Sequence, residues 1–545
     1  MPRRVHSSFH SATIFGAGAR LIEVQVDLSL GLPGFYLVGL PDHACVDAKT
    51  RCITAIRNSG YALPHKKITV NLSPGDLRKE GAAFDLPIAL GVLCCAGLLL
   101  PPARSTLIVG ELSLSGDVLP VRGVLPIALE ARRLGFESLI VPEANASEGA
   151  LVRDLKVFGA RNLTEAAELV GGLSGHAPAT PGVEVAPGHV VDFSDVIGQG
   201  VCKRALEVAA AGGHNALLIG PPGSGKTMLA RRFPTLLPPP SFEEAVETTA
   251  IWSVAGRLRP GQGLFVERPF RAPHHTISVA GLVGGGSPPR PGEITLAHNG
   301  VLFLDELPEF SRTVLEALRQ PLEDGYVSVV RASGGVSLPA RFMLLAAMNP
   351  CPCGHEGDMD PTRCHCSLPA KEGYRRRISG PILDRFDVHI EAPALRGKDM
   401  LDAPRGDRSA VIRARAEKAR ERQRERFASL EGVHANAQLR GRALRELCAA
   451  TPRALRTIAT IIDQRRLSAR AHDRILKLAR TIADLAGSDL VEVDHVTEAS
   501  ELRCLDKPLK GAIGPALPQP SPLARIAAHV KSPGTPPGET KEGSR

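Results

Sequence analysis

Between Ala216 and Phe233 the chain runs from an apolar segment, Ala216-Leu-Leu-Ile219, into Gly220-Pro-Pro-Gly-Ser-Gly-Lys-Thr227 and on into Met-Leu-Ala-Arg-Arg-Phe233. The middle stretch satisfies G-x-x-x-x-G-K-[ST] at every specified position. The flanks read as a buried strand and a helix, so this part of the chain is committed to an α/β fold in which a strand feeds a helix N-terminus. Gly220, Pro221, Pro222, Gly223, Ser224, Gly225, Lys226 and Thr227 are therefore expected to hold a nucleoside triphosphate. Gly223 and Gly225 let the backbone curl so that successive N–H groups face phosphates, Lys226 reaches the β and γ oxygens, and the Thr227 hydroxyl ligates Mg²⁺. The competing reading, a glycine-rich turn before an ordinary helix, leaves the coincidence of strand, Lys-Thr and helix unaccounted for.

Downstream, Val301-Leu-Phe-Leu-Asp-Glu306 is an apolar run that ends in two acids, as a buried strand does when it delivers carboxylates to a sheet edge. Asp305 is expected to join Thr227 around Mg²⁺, and Glu306 to orient and deprotonate an attacking water. A third apolar run, Phe342 to Met348, ends at Asn349, whose amide is expected at the γ-phosphate or the water. Solvated acids at a strand end, and an Asn that merely precedes Pro350, are the plain alternatives.

At 545 residues and 43% hydrophobic composition the chain is long enough for several domains with conventional cores. A formal charge of +9 permits nucleic acid as a partner without demanding it. Val5 to Phe15 is broken by His and Ser and offers no signal-peptide core, and Leu86 to Leu100, which contains Pro87, is shorter than a membrane span and reads as a buried helix. A cytoplasmic protein without membrane contact is expected. The reading places an α/β domain at 1–170, a Gly/Pro/Ala-rich linker at 171–190, a second α/β domain at 191–394, a helical domain at 395–505 and a disordered tail at 506–545. The charged stretch Val411 to Arg426 alternates sign and reads as a solvated helix, with a DNA-facing surface as the lesser alternative.

Within the second α/β domain, an insertion at 351–366 carries Cys351, Cys353, Cys364 and Cys366 as two C-x-C pairs. Four thiolates suffice for a tetrahedral structural Zn²⁺, and a reducing compartment disfavours disulfides. Free thiols or a redox role are the alternatives, with His355 or His365 as substitute ligands. Tyr326 to Val330 and Val336 to Ala340 flank Arg331-Ala-Ser-Gly-Gly335 and read as a β-hairpin.

The loop, the Asp-Glu pair and Asn349 together resemble the AAA+ ATPases. Phe270-Arg-Ala-Pro-His-His-Thr-Ile-Ser278, Gly281-Leu-Val-Gly-Gly-Gly286, Arg290 to Gly300 and Glu316 to Gly325 narrow the resemblance to the magnesium-chelatase-related YifB/ComM family. That resemblance implies ATP and Mg²⁺ as cofactors, a homo-oligomeric ring (a hexamer) with ATP sites between subunits, and a C-terminal helical lid. It places Arg385, in Ile378 to Asp387, at the neighbouring subunit's ATP, and Arg470 at the lid position that touches the γ-phosphate, with Arg474 as its substitute. The hairpin around Arg331 would point into a pore and grip a phosphate backbone; a plain surface hairpin is the alternative. Asn71 to Pro87 and Gly110 to Gly123 resemble the Lon-protease-type domain, of the ribosomal S5 domain 2-like fold, yet its serine and lysine positions fall at Ala83 and Leu125, which removes the peptidase chemistry. Lys79 and Arg78 remain beside that inert position. The function implied is ATP hydrolysis coupled to DNA remodelling: helicase or branch-migration activity on single-stranded or branched DNA during natural transformation. A chelatase-like or other protein-remodelling motor, and a nucleotide-switched scaffold, are the rivals.

Overall fold

The computed structural model describes residues 6–40, 42–77, 79, 81–103, 105–182, 191–259, 261–286, 290–331, 334–358, 360–394, 406–430 and 432–506. The tail expected after 506, residues 183–190 of the expected linker, and Arg78 lie outside these.

The N-terminal α/β unit is built on β1 (His6–Phe15), β2 (Gly18–Ser29), β3 (Gly34–Val38), β4 (Lys67–Ser73), β5 (Thr106–Ile108), a small hairpin β6 (Glu111–Leu112) and β7 (Val118–Leu119), then β8 (Ser138–Pro142) and β9 (Lys156–Ala160). Its main sheet has the order β3-β4-β2-β1-β5-β8-β9. β1 is a strand that the sequence reading passed over, because its inward positions include Ser7 and Ser11 beside Phe9 and so blur the apolar alternation. Ser7 is satisfied by donating to the Gly91 carbonyl at 3.0 Å. Gly91 belongs to the helix Asp85–Cys95, which is buried at every residue, as the apolar run from Leu86 predicts.

The second unit is a five-stranded sheet ordered β11-β14-β17-β10-β18, made of β10 (Ala216–Ile219), β11 (Phe270–Arg271), β14 (Val301–Leu304), β17 (Met343–Met348) and β18 (Val388–Glu391). Short hairpins β12 (Gly284–Gly285) with β13 (Arg290–Pro291), and β15 (Tyr326–Arg331) with β16 (Gly334–Pro339), lie outside it. Every pairing within the five-stranded sheet is parallel. Near-continuous burial explains why these strands read as unbroken apolar runs, and a parallel sheet brings all its carboxyl ends to one edge. Loops after β10, β14 and β17 therefore converge, while segments entering the strands lie at the other edge.

Helices Ser409–Arg426, Pro452–Arg465, Ala469–Leu485 and Val493–Glu501 form the C-terminal region. A buried polar network fastens it to the sheet: His214 Nδ1 lies 3.0 Å from Asp387 and its Nε2 2.8 Å from the Thr481 hydroxyl, and Asn436 donates to Thr481 and Asp484 at 3.0 and 2.8 Å. The N-terminal unit docks on the helix Phe242–Val254, where Ala250 joins its core and Ser253 donates to the half-buried Glu148. Among the described residues no helix is long and apolar enough to cross a membrane.

Candidate nucleotide site

β10 hands the chain to the phosphate loop, and the helix Lys226–Arg232 leaves it with Gly225 as N-cap. Gly223 and Gly225 adopt φ of +76° and +87°, and a Cβ on either would meet nothing within 4 Å. Glycine is required there by backbone conformation, and the concave side of the loop stays open. Lys226 Nζ lies across that concavity, donating to the Gly220 and Pro221 carbonyls at 2.7 and 2.8 Å, with the Asn349 Oδ1 at 3.5 Å. Burial lowers its pKa, opposed by the charges of Asp305 and Glu306. The side chain thus bonds its own loop in the pose that phosphate oxygens would compete for.

The Thr227 hydroxyl donates to Asp305 Oδ2 at 2.7 Å, and the other Asp305 oxygen accepts the Glu306 N–H at 3.0 Å. Two hard oxygen donors side by side at a loop for phosphates form a donor set suited to Mg²⁺. Ser224 Oγ is buried and has no hydrogen-bond partner, an orphan in the loop itself. Glu306 takes the left-handed conformation at φ 53°, which costs a non-glycine residue about 1 kcal/mol, and its carboxylate is 58% exposed. These placements bring Lys226, Thr227, Asp305, Glu306 and Asn349 to one sheet edge.

Three residues without an assigned role in the sequence reading join them. Gln199, left-handed at φ 53° and buried, donates from Nε2 to the Ser224 carbonyl at 2.9 Å and to the Pro393 carbonyl at 2.7 Å, so it ties the loop to the strand edge beyond β18. The glycine-flanked Gln in Gly198-Gln-Gly200 was the only signal available. His275 places Nδ1 at 3.6 Å from Glu306 Oε2, and His274 stacks on it with centroids 4.1 Å apart.

Arg385 and Arg470 are elsewhere. Arg385 sits three residues before β18, whose register sets Ala216 against Val388 and Ile219 against Glu391. It therefore lies at the entering edge of the sheet, a strand length away from its own phosphate loop, about 13 Å at ~3.3 Å per residue. Asn215, just before β10, confirms this by donating to the Arg385 carbonyl at 2.9 Å. Arg470 and Arg474 each reach Asp384 at 3.2 Å and so share that edge. Arg385 pairs with Glu323, while its Nε is buried without a partner. Burial lowers its pKa, and the charges of Arg470, Arg319, Arg440 and Arg474 add to the effect.

The loop after Asn349 gathers Cys351, Cys353, Cys364 and Cys366, whose sulfurs all lie within 4.8 Å of one another. Sγ of Cys351 is 3.4 Å from that of Cys353 and 3.8 Å from that of Cys364, against about 3.8 Å for ligands around a tetrahedral zinc with ~2.3 Å bonds. Backbone N–H groups of His355 and Glu356 donate to the thiols of Cys353 and Cys351. His355 is turned to Asp358 at 3.1 Å. Gly354 packs this loop on Pro222 of the phosphate loop, where an added Cβ would lie 3.0 Å from the ring. The hairpin of β15 and β16 forms as expected, with Val329 opposite Val336; the Arg331 side chain lies outside the described residues. In the N-terminal unit the Ala83 carbonyl accepts the Gly110 N–H at 2.9 Å, and Leu125 is buried.

Sequence comparison adds the following. The family profile described as magnesium chelatase, subunit ChlI, matches residues 192–400, that of subunit ChlI of Mg-chelatase residues 24–145, and that of the ChlI C-terminal region residues 406–503. The chain is 43% identical over 504 residues to the YifB protein of Salmonella typhimurium, covering 91% of this chain and 97% of that one. It is 42% identical over 503 residues to competence protein ComM of Haemophilus influenzae, again covering 91% and 97%. A more distant match, 26% over 234 residues, is the chloroplastic magnesium-chelatase subunit ChlI of Nicotiana tabacum, covering 39% of this chain and 50% of that one.

Proposed function

The chain belongs to the YifB/ComM family of magnesium-chelatase-related AAA+ proteins, and on that premise we propose that it is a ring-forming ATPase that couples hydrolysis to remodelling of single-stranded or branched DNA. The observation that carries the reading is the division of polar groups between the two edges of one parallel sheet. Phosphate loop, Asp305, Glu306 and Asn349 occupy one edge, and Arg385 with Arg470 the other. A guanidinium that lies across the sheet from its own phosphate loop is out of reach of its own nucleotide, which supports a complete site between subunits and a hexameric ring.

In that site the loop N–H groups and Lys226 hold the β- and γ-phosphates, while Thr227 and Asp305 hold Mg²⁺, which when bound neutralises phosphate charge. Glu306 accepts the proton of a water whose oxygen attacks the γ-phosphorus as the bond to the β-phosphate oxygen breaks and ADP leaves. Asn349 orients the γ-phosphate or that water, and the neighbour's Arg385 and Arg470 stabilise charge on the transferring group. DNA as the track is supported by the name of the ComM relative, which ties it to competence, and by the +9 charge; branch migration of recombination intermediates is the activity that fits both. The four cysteines hold a structural Zn²⁺, supported by their spacing and by the N–H donors on their sulfurs. The N-terminal unit is a Lon-protease-like fold without peptidase chemistry, supported by Ala83 and Leu125 at the nucleophile and base positions.

Phosphate release measured with and without single-stranded or four-way-junction DNA, followed by strand displacement on the junction, tests the reading. Stimulation and displacement are expected; hydrolysis indifferent to DNA, with no displacement, would leave a chelatase-like motor or a scaffold. The similarity to ChlI specifically favours the motor as the second reading, and metal insertion into a porphyrin would reveal it. Metal analysis of the gently purified protein, expected to give one zinc per chain, tests the cysteine site.

A further inference from the structure

The hairpin of β15 and β16 lies outside both main sheets, yet one of its faces is buried. Val327, Val329, Val336 and Leu338 are the buried positions, alternating with exposed Ser328 and Ser337. A two-stranded ribbon is marginal in water unless something covers its apolar face. These four residues share one apolar cluster with Leu302 and Leu344 of the five-stranded sheet, and Ala17 of the N-terminal unit packs against that cluster. Ala17 stands in the turn between β1 and β2, next to Gly16. Gly16 is left-handed at φ +68°, and a Cβ placed on it would lie 2.9 Å from Val336 Cγ1 and 3.5 Å from the Ser337 carbonyl oxygen. A side chain there would push the hairpin away, so the turn meets β16 with bare backbone.

The root of the hairpin is fastened to the helix on which the N-terminal unit docks. The Ala340 N–H donates to the Gly325 carbonyl at 2.8 Å and closes the ribbon. Arg341 then donates its N–H to His298 Nδ1 at 3.0 Å, which leaves Nε2 of that buried imidazole to donate to Glu247 of the helix Phe242–Val254 at 3.1 Å. Two residues after Arg341 the chain enters β17, whose far end delivers Asn349 to the nucleotide edge. At the end of the same helix Ser253 donates to Glu148, and the turn at Gly256 admits Arg122 so closely that a Cβ there would lie 2.7 Å from its Nε. The N-terminal unit therefore holds the hairpin at two places, directly at β16 and through the helix and His298 at its root. A ribbon held at both moves as one body with its supports, and a load on it reaches β17 instead of being lost in bending.

Resting on the reading of DNA as the track, we propose that the N-terminal unit is the seat of the β15–β16 hairpin: its β1–β2 turn holds the hairpin against the second α/β unit, and by doing so sets how strongly DNA stimulates ATP hydrolysis.

The test combines amide hydrogen exchange of β15 and β16 with phosphate release in the absence and presence of a mixed-sequence single-stranded oligonucleotide, all on full-length protein. Gly16→Asn keeps a residue that tolerates the left-handed backbone and sets its side chain against Val336. Val336→Ala loosens the same contact from the hairpin's side. Gly60→Asn is the control, since Gly60 is left-handed at φ +84° in the same unit and a Cβ there meets nothing within 4 Å. Gly16→Asn and Val336→Ala are each expected to speed exchange in β15 and β16 several-fold and to lower the stimulation by DNA several-fold, with DNA-free hydrolysis at the wild-type rate; Gly60→Asn is expected to change none of these. Unchanged exchange in both contact variants, undiminished stimulation despite faster exchange, or the same effects in Gly60→Asn would overturn the proposal. Wild-type hydrolysis indifferent to DNA would instead sink the DNA reading, and the control of stimulation with it, while the exchange comparison still decides whether the N-terminal unit holds the hairpin.

Discussion

Two polar constellations invite comparison, one in each α/β unit. In the N-terminal unit, Asp85 is fully buried two residues beyond Ala83, and both its oxygens are taken: Arg51 donates through Nε at 2.5 Å and Nη2 at 3.0 Å, and the Leu112 N–H adds a third bond at 3.3 Å. In the nucleotide site Glu306 is more than half exposed, Ser224 Oγ has no partner, and Lys226 bonds backbone carbonyls of its own loop. Across the sheet the Arg385 Nε is orphaned as well. A buried charge with every lone pair satisfied is part of the framework, because removing a partner leaves an uncompensated charge. Groups left open, strained or orphaned at a sheet edge are available to a ligand. The comparison predicts that substitutions in the first set damage stability and in the second set turnover.

The largest effect is expected from Arg385→Ala and Glu306→Gln. Each should lower turnover about a thousandfold or more, the range seen for loss of an arginine acting across subunits, with nucleotide binding and melting temperature little changed. Normal ATPase activity in Arg385→Ala would remove the shared-site reading. In the N-terminal unit, Arg51→Leu should destabilise by about 3 kcal/mol or more, read by denaturant unfolding, because Asp85 would be left buried and alone; an unchanged midpoint would break the comparison from the other side.

A third test uses pH. Burial pushes Asp85 up to about 6, more than the contacts with Arg51 pull it down. The folded state therefore holds this proton more tightly than the unfolded chain, whose carboxyl titrates near 4. The stabilisation is fully present below pH ~4 and is lost as pH rises toward ~6, by up to about 2–3 kcal/mol. The stability difference between wild type and Asp85→Asn should fall over that interval; a flat or rising difference contradicts the assignment. The smallest effect is expected at the contact between the units. Ser253→Ala removes a donor from Glu148, which also accepts from the Leu125 N–H at 2.8 Å and from Asn145 at 3.2 Å, so about 1 kcal/mol is expected, seen as easier proteolytic release of the N-terminal unit.

Much of the architecture was legible in the sequence because its signals are local. Ala216 to Ile219, Val301 to Leu304 and the helix that begins at Asp85 were visible as apolar runs, since a strand or helix buried all round needs no alternation. β1 was missed for the converse reason: its buried Ser7 is satisfied by a partner far along the chain, Gly91, which no window around it contains. Gln199 escaped because its two acceptors, Ser224 and Pro393, are 25 and 194 residues away.

By itself, then, the sequence determined the groups whose chemistry depends on contiguity: the loop 220–227, whose neighbouring N–H groups must converge on phosphate, the Asp305-Glu306 pair at a strand end, and the two C-x-C pairs. Only the tertiary structure decided which edge of the sheet each later residue would join. It set Arg385 and Arg470 across from the loop, seated the cysteine loop on Pro222, and brought His275 to Glu306. The reason is geometric: contiguous residues share a backbone path that local sterics dictate, whereas residues tens to hundreds of positions apart meet only through the register of a parallel sheet and the packing of helices on it.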